Sequence, residues 1–275
     1  MTSNKHIAMW SCPRSRTTAI TRAFERLPGC VIFDTPFFGA YLTNTEIPVN
    51  LKFYQFGRSE IDNVWEKDYR AVIARVTGDL PDGVAFSFQR HISRTVLPEF
   101  GRDWLKSLHN FVLVRDPSEI ILSYQRVLDK YGIADQHQLT MHDIGIDRLY
   151  NLVIDIETVT GRKPLVIHSD DLARDPALVL SFLCDQFGID FDEQMLTWES
   201  GLQNSELAGP SLAKAAETWS QTWYDTVTNS TGFLPFEKKQ EIVPEHLRPL
   251  LDACSPYYAK LTQLCMRYEA IELNR

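Results

Sequence analysis

Long apolar runs and paired cysteines are both missing from this 275-residue sequence. No apolar stretch approaches the roughly 20 residues that a membrane-spanning helix needs, and the N-terminal MTSNKHIAMW is too weakly apolar for a secretory signal. The cysteines lack the spacing of zinc sites and disulfide frameworks; they are Cys12, Cys30, Cys184, Cys254 and Cys265. We therefore expect a cytoplasmic protein, without a membrane anchor, in a reducing environment.

Two nucleotide-binding patterns and an excess of basic residues are missing as well. Neither G-x-x-x-x-G-K-[ST] nor G-x-G-x-x-G occurs, which disfavours ordinary ATPases, kinases and dinucleotide-binding enzymes. Lys and Arg number 28 against 36 Asp and Glu, giving a net charge of −8. This balance argues against non-specific nucleic-acid binding and against a long polyanionic acceptor. An anionic ligand must then be held by local arginines.

The hydrophobic pattern alternates between short strands and amphipathic helices. Short apolar runs predict strands at 7–10, 30–33, 84–88, 111–114 and 165–167. Helical spacing and end signals predict helices at about 19–27, 61–76, 120–128, 147–159 and 176–188. This order predicts a single α/β domain over 1–275, a three-layer fold with a mostly parallel central sheet and helices on both faces. A helical C-terminal portion is expected from about 198 to 275.

The turn after the first predicted strand is rich in hydrogen-bond donors. It carries Arg14 and Arg16, and the hydroxyls of Ser15, Thr17 and Thr18. A loop between a strand and a helix directs free amides and the positive end of the helix dipole towards an anion. The segment therefore suits phosphate or sulfate, although an ordinary polar turn with solvated arginines would share the same composition.

The segment WSCPRSRTT resembles the 5′-phosphosulfate loop of sulfotransferases that use 3′-phosphoadenosine-5′-phosphosulfate (PAPS), whose usual form is Pro-Lys/Arg-Ser-Gly-Thr-Thr or Ser. Pro13, Arg14, Ser15, Thr17 and Thr18 match that form, and an arginine stands at the position where glycine is common. The resemblance implies a fold like that of the P-loop NTPases. It also implies a co-substrate, PAPS, and a product, 3′-phosphoadenosine-5′-phosphate.

A second segment, FVLVRDPSEIILSYQRV, resembles the 3′-phosphate site of the same family. There, an arginine ends a strand and a serine eight residues later lies on the next helix; Arg115 and Ser123 have this spacing. Arginine can bind phosphate with two parallel hydrogen bonds. The alternative is that Arg115 pairs with Asp116 or Glu119, and that Ser123 is a surface serine.

Two weaker similarities follow in the same order. IHSDDLARDP resembles a strand-end segment of the family in which Ser169 replaces a tyrosine that often contacts adenine. WYDTVTNSTGF resembles the C-terminal segment of a bacterial sulfotransferase-like subgroup, which implies that Ser230 and Thr231 close over the 3′-phosphate or the substrate. The Arg-Lys-Gly motif of cytosolic sulfotransferases is absent.

The transfer step requires a group for the leaving oxygen and a general base. Arg14 occupies the place of the loop cation that the resemblance assigns to the leaving oxygen. The base candidates are His91, in a segment that resembles the family's Lys-x-His, and Asp34, next to Thr35 where carbohydrate-type members place a glutamate. His91 could instead bind only a backbone carbonyl. Arg90 could assist with sulfuryl charge or be solvated.

Aromatic residues could wall an acceptor pocket or belong to the core; they are Phe37, Phe38, Tyr41, Tyr54, Trp65 and Phe88. Cys12 could be a reactive thiol in the loop or a small packed side chain.

The sequence thus predicts a sulfotransferase that uses PAPS and no metal, and that modifies a hydroxyl or a nitrogen of a small metabolite or natural product. We expect neither nucleic-acid nor membrane partners, and a monomer or homodimer. The alternatives are an Mg²⁺-dependent nucleotide phosphotransferase with a degenerate phosphate loop and a non-catalytic nucleotide-binding relative.

Overall fold

A parallel sheet forms the centre of the computed structural model, which describes residues 5–46, 65–201, 225–238 and 241–266. Its strands are β1 Lys5–Ser11, β2 Cys30–Asp34, β3 Phe86–Ile92, β4 His109–Val114 and β5 Leu165–His168. The five strands lie in the order β2-β3-β1-β4-β5, and each neighbouring pair is parallel. The predicted α/β class with a parallel central sheet is confirmed.

Helices follow the strands and surround the sheet. They are α1 Thr17–Glu25, α2 Phe38–Asn44, α3 Tyr69–Thr77, α4 Pro117–Lys130, α5 Met141–Ile144, α6 Ile146–Thr160, α7 Ser169–Arg174, α8 Pro176–Phe187, α9 Asp225–Thr228 and α10 Arg248–Leu264. Within the described part of the chain, none of them combines the length and the apolar character needed to cross a membrane.

Local signals in the sequence fix where two long helices begin. The Asp116 side chain accepts a hydrogen bond from the amide of Ser118 at 2.9 Å, and Pro117 is the first residue of α4. Asp175 caps α8 in the same way by accepting from the amide of Leu178 at 2.9 Å. An aspartate cap followed by proline satisfies a free amide and presets the helical φ angle, so these helix starts are readable from sequence.

The strand order places a crevice beside β1. The chain continues from β1 to β2 and β3, which lie on one side of β1, and later to β4 and β5, which lie on the other side. Open α/β sheets bind ligands outside the carboxyl ends of the strands at such a point. The loop after β1, the end of β2 and the start of α4 all reach this edge.

Several predicted boundaries need correction. The third strand runs from Phe86 to Ile92, not over 84–88, so it continues through Arg90 and His91. Helix α3 begins at Tyr69, where the Asp68 side chain accepts from the amide of Arg70 at 2.9 Å, and residues 61–64 of the predicted helix lie outside the described residues.

Among the described residues after 198, only some are helical. Helices occupy Asp225–Thr228 and Arg248–Leu264. Residues 229–238 are irregular, apart from an antiparallel bridge between Thr197 and Gly232. This irregular segment crosses the edge of the sheet at which the strands end.

Gly39 in helix α2 packs closely against the segment that contains Trp65 and Glu66. A methyl group on Gly39 would lie 2.5 Å from the carbonyl oxygen of Glu66 and 2.5 Å from Cβ of Trp65. We expect Gly39→Ala to lower the free energy of unfolding by about 1–3 kcal/mol, because overpacking outweighs the better helix propensity of alanine. Urea unfolding measures this change. Thr43→Ala, at an exposed position of the same helix, is the control and should be near neutral; a stabilised Gly39→Ala protein would contradict the packing.

Candidate active site

A cavity of about 810 Å³ opens at the carboxyl edge of the sheet. The loop after β1, the ends of β2 and β3, helix α4 and the irregular segment at 230–237 contribute to its wall. Its basic lining residues are Arg14, Arg16, Arg90, Arg94, Arg115, Arg126 and Lys130. Its acidic lining residues are Asp34, Asp225 and Glu237. A protein with a net charge of −8 therefore gathers positive charge at this one cavity.

The loop after β1 contains two residues with an unusual backbone conformation. Arg14 and Arg16 adopt left-handed conformations, with φ of 61° and 60°. Residues other than glycine rarely take this conformation, and it costs about 1–2 kcal/mol per residue. Arg16 occupies the N-cap position of α1, and its side chain makes no capping hydrogen bond there. The left-handed conformation thus forms here without glycine, and Arg16 adds a cation to the loop.

The two predicted anion-binding motifs are in direct contact. The Arg14 Nε donates a hydrogen bond to the Ser123 hydroxyl at 3.0 Å. The Arg115 guanidinium donates to the carbonyl oxygen of Arg14. Burial lowers the pKa of Arg14, and the positive charge of Arg115 lowers it further. A half-buried, crowded guanidinium remains charged and gains from an anionic ligand.

Arg115 also forms the ion pair that the alternative interpretation of its motif required. Its Nε and Nη2 lie 2.8 and 2.7 Å from the Glu119 Oε2. Burial and then the charge of Arg16 lower the pKa of Arg115. Because Arg115 still lines the cavity, Glu119 orients this guanidinium at the wall of the cavity.

A further ionic cluster connects Arg16 to the segment after β5. Arg16 donates to the Ser169 hydroxyl at 3.2 Å and to the Asp170 carboxylate at 2.8 Å. The Lys238 ammonium lies 3.2 Å from the other oxygen of Asp170. Burial alone would raise the pKa of Asp170, but the neighbouring His168, Lys238 and Arg16 lower it. The cluster holds the irregular C-terminal segment close to the loop after β1.

The opposite wall contains a buried ion pair between adjacent strands. Asp34 and Arg90 are register partners on β2 and β3. The Arg90 Nε donates to Oδ1 of Asp34, and its Nη2 donates to Oδ2 at 2.8 Å. Thr35 has a φ of 46° and donates its hydroxyl to Asp34 at 3.0 Å. This unusual backbone ends the strand directly after Asp34, which lines the cavity.

The structure does not bring His91 to the cavity. Successive strand residues face opposite sides of a sheet, and since β3 continues through Ile92, His91 and Arg90 point in opposite directions. The His91 Nε2 lies 2.9 Å from the Gln89 side-chain oxygen, and the ring stacks on Trp10 at 4.2 Å. Burial lowers the pKa of His91 to about 3. The sequence favoured this histidine because its segment resembles the family's Lys-x-His segment. The predicted strand ended four residues too early, so His91 was expected beyond the strand and not within it.

The remaining candidates divide between the cavity and its surroundings. Thr17, Thr18 and Ser230 line the cavity; Ser230 accepts from the Trp198 indole at 3.3 Å. Ser15 is buried beneath the loop, and Thr231 is exposed beside the opening. These placements leave Ser15 and Thr231 outside the lining.

Aromatic and sulfur candidates are similarly divided. Phe38 and Trp65 line the cavity, with ring centroids 5.3 Å apart. Core positions hold the rest of the described set, Phe37, Tyr41 and Phe88; Tyr54 lies outside the described residues. Cys12 is buried, and burial raises its thiol pKa, which fits a packed side chain better than a nucleophile.

Sequence reasoning missed several cationic wall residues. Arg126 and Lys130 lie three and seven residues after Ser123 on α4, and all of them line the cavity. Helical periodicity counted from Ser123 would have indicated both. Arg94, just beyond β3, had no comparable signal.

A family model for the sulfotransferase domain matches residues 5–264. The chain belongs to the sulfotransferase family. This membership confirms the resemblance that the two anion-binding motifs indicated, and places both motifs within the matched region.

Among individual relatives of this sulfotransferase-family chain, "Branched-chain-amino-acid aminotransferase-like protein 2" of Arabidopsis thaliana is 29% identical over 252 residues, which are 92% of this chain and 40% of the plant protein. The chain therefore spans well under half the length of that relative.

Two solved structures are also similar. A sulfotransferase from Alicyclobacillus acidocaldarius is 16% identical, with a TM-score of 0.49 over 78% of this chain and 95% of its own. The sulfotransferase domain of the Synechococcus PCC 7002 olefin synthase is 16% identical, with a TM-score of 0.44 over 92% of this chain and 96% of its own.

The burial of His91 predicts a pH-dependent stability. An imidazole with an ordinary pKa of 6.5 and a folded pKa of about 3 stays neutral in the folded chain, while the unfolded chain binds a proton as the pH falls. The contribution of His91 to the free energy of unfolding is therefore complete above pH 6.5. It is lost as the pH falls below this value, by about 2 kcal/mol between pH 7 and pH 5. Denaturant unfolding at the two pH values should show a smaller loss for His91→Gln than for the parent. An equal loss in both proteins would mean that His91 titrates normally.

Proposed function

We propose that this chain transfers a sulfuryl group from PAPS to a hydroxyl or a nitrogen of a small acceptor. The observation that carries the proposal is that the loop after β1 and the Arg115–Ser123 motif share the lining of one cavity and contact each other. A single ligand with anionic groups at both ends can therefore engage both motifs. Family membership supports sulfuryl transfer as the chemistry.

The residues present fit such a donor. Arg14, Thr17 and Thr18, together with the N-terminus of α1, offer donors for a phosphosulfate group. Arg115 and Ser123 offer a guanidinium and a hydroxyl for a 3′-phosphate. The cavity of about 810 Å³ falls in the usual range for pockets that hold a ligand of this size.

An apolar wall next to Asp34 supports a small acceptor that is itself largely apolar. Phe38, Trp65 and Ile92 belong to the same lining as Asp34 and Thr35. An acceptor held against these side chains would present its hydroxyl or amine to the carboxylate. We therefore propose Asp34, and not the buried His91, as the group that takes the acceptor's proton.

The proposed transfer replaces one bond to sulfur by another. PAPS supplies a sulfuryl group bound to a phosphate oxygen that can leave. The acceptor oxygen or nitrogen forms a bond to sulfur while the bond from sulfur to that phosphate oxygen breaks. Asp34 receives the proton of the acceptor, and Arg14 stabilises the negative charge on the departing oxygen. Preorganised cations at the loop, together with positioning, supply most of the rate.

Nucleotide selectivity tests the two-ended site. We expect 3′-phosphoadenosine-5′-phosphate to bind about 10- to 100-fold more tightly than AMP, because only the former offers a phosphate to Arg115 and Ser123. Isothermal titration calorimetry measures both affinities. Arg115→Gln should reduce the difference, whereas Arg162→Gln, at an exposed position after α6, should preserve it. Equal binding of the two nucleotides by the parent would refute the proposal.

Turnover tests the role of the loop. The protein is incubated with PAPS and a library of alcohols, phenols and amines, and mass spectrometry detects sulfated products. We expect Arg14→Ala to lower the rate about 10²- to 10³-fold, as loss of a preorganised transition-state donor does, and Arg14→Lys to retain more activity. Activity should survive EDTA, which separates the reaction from an Mg²⁺-dependent phosphotransfer. Full activity of Arg14→Ala would remove Arg14 from the mechanism.

A further inference from the structure

Arg90 contacts residues from both halves of the cavity. On one side it holds both carboxylate oxygens of Asp34. On the other, its Nη1 donates to the Thr18 hydroxyl at 2.9 Å and lies 3.4 Å from the Thr17 hydroxyl. Asp34 ends β2, while both threonines form the first turn of α1, directly after the loop that carries Arg14. One guanidinium therefore joins the two walls.

We propose that Arg90 is a positioning residue that couples the acceptor-side carboxylate to the donor-binding turn. The inference rests on the proposed function, since it assumes that the nucleotide binds at the first turn of α1. Arg90 holds Asp34 in place for the acceptor's proton. It also fixes the hydroxyl of Thr18 for the nucleotide.

The hydrogen bond at the Thr18 hydroxyl links Arg90 to the nucleotide. A threonine hydroxyl that accepts a hydrogen bond from a guanidinium has its own proton left for another acceptor. Thr18 lines the cavity, so a nucleotide anion there is a suitable acceptor. Polarisation by a charged donor strengthens the second hydrogen bond. Loss of Arg90 should therefore weaken nucleotide binding, although Arg90 is not part of the resembled phosphate loop.

Burial makes the charge balance important. The side chains of Arg90 and Asp34 are only 8% and 4% exposed, so solvent screens their charges weakly. In the parent protein the Asp34 carboxylate offsets much of the Arg90 charge that a nearby nucleotide anion would meet. Neutralising Asp34 should raise the positive potential at the first turn of α1. The substitution that slows transfer should thus tighten nucleotide binding.

The arrangement at Arg90 differs from that of the other arginine near the end of β3. Arg94 donates to the backbone carbonyl of Asp143 at 2.8 Å, and its carboxylate contact with Asp143 is 3.7 Å long. These contacts tie Arg94 to helix α5. Lysine at position 90 could not hold both carboxylate oxygens and reach Thr18, because its ammonium lacks the planar fork.

A double-mutant cycle on nucleotide affinity tests the coupling. Calorimetry measures 3′-phosphoadenosine-5′-phosphate binding to the parent, Asp34→Asn, Arg90→Gln and the double variant. We expect Asp34→Asn to bind about tenfold more tightly and Arg90→Gln about tenfold more weakly. In the Arg90→Gln background, Asp34→Asn should change the affinity less than twofold, because the guanidinium whose hydrogen bonds Asp34 shares with Thr18 is gone.

Two controls separate the coupling from general effects. Asp155→Asn removes the carboxylate that pairs with Arg102 at 2.7 Å, outside the cavity lining; it changes the net charge as Asp34→Asn does and should leave the affinity within about twofold. Arg90→Lys should bind the nucleotide more tightly than Arg90→Gln does. With an acceptor from the library, Arg90→Lys should transfer the sulfuryl group more slowly than the parent protein does.

The outcomes distinguish this inference from the function on which it rests. A parent that binds no 3′-phosphoadenosine-5′-phosphate overturns both. A parent that binds it, with Asp34→Asn unchanged or tightened equally in both backgrounds, overturns the coupling alone. If Asp34→Asn fails to fold, Thr18→Val replaces it: Thr18→Val and Arg90→Gln should each weaken binding severalfold, and the double variant should be no weaker than the weaker single variant. Additive losses would then overturn the coupling.

Discussion

The contact between the loop after β1 and the start of α4 is the constraint on which the site depends. Arg14 reaches Ser123 at 3.0 Å, and Arg115 reaches back to the carbonyl oxygen of Arg14. Neither segment alone would define a ligand, because strand-to-helix turns with arginines are common. The parallel order of β1 and β4 makes them neighbours at the same edge of the sheet. In the proposed function, two candidate anion sites thereby form one two-ended site.

The electrostatics of the site depend on ion pairs that keep mutually repelling guanidinium groups close together. Glu119 holds Arg115, Asp170 holds Arg16, and Asp34 holds Arg90. Each carboxylate reduces the repulsion among the cations without removing them from the cavity wall. Without these partners the buried Arg90 and the half-buried Arg16 and Arg115 would destabilise the fold. The overall charge of −8 then does not prevent a cationic site, since local pairing decides the potential inside a cavity.

Patterns fixed by local chemistry were predictable from sequence, and those fixed by side-chain direction were not. The parallel α/β fold, the capped starts of α4 and α8, and the two motifs followed from periodicity, caps and spacing. The assignment of a base did not follow from them. The predicted strand ended at residue 88, four residues too early, so the alternation that directs Arg90 towards the cavity and His91 away from it was not recognised in FSFQRHI. The left-handed backbone at Thr35 was equally invisible, since threonine rarely takes a φ of 46°.

The two departures from the family's usual residues meet each other in space. Arg16 stands where glycine is common and Ser169 where tyrosine is common, and the Arg16 guanidinium donates to the Ser169 hydroxyl at 3.2 Å. Ser169 is fully buried, and the neighbouring Asp170 supplies the charge that Arg16 needs. A bulky ring at position 169 would compete with the arginine for this space. In this chain the charged side chain from the loop therefore occupies the space beside the sheet edge at position 169, with Asp170 as its ionic partner.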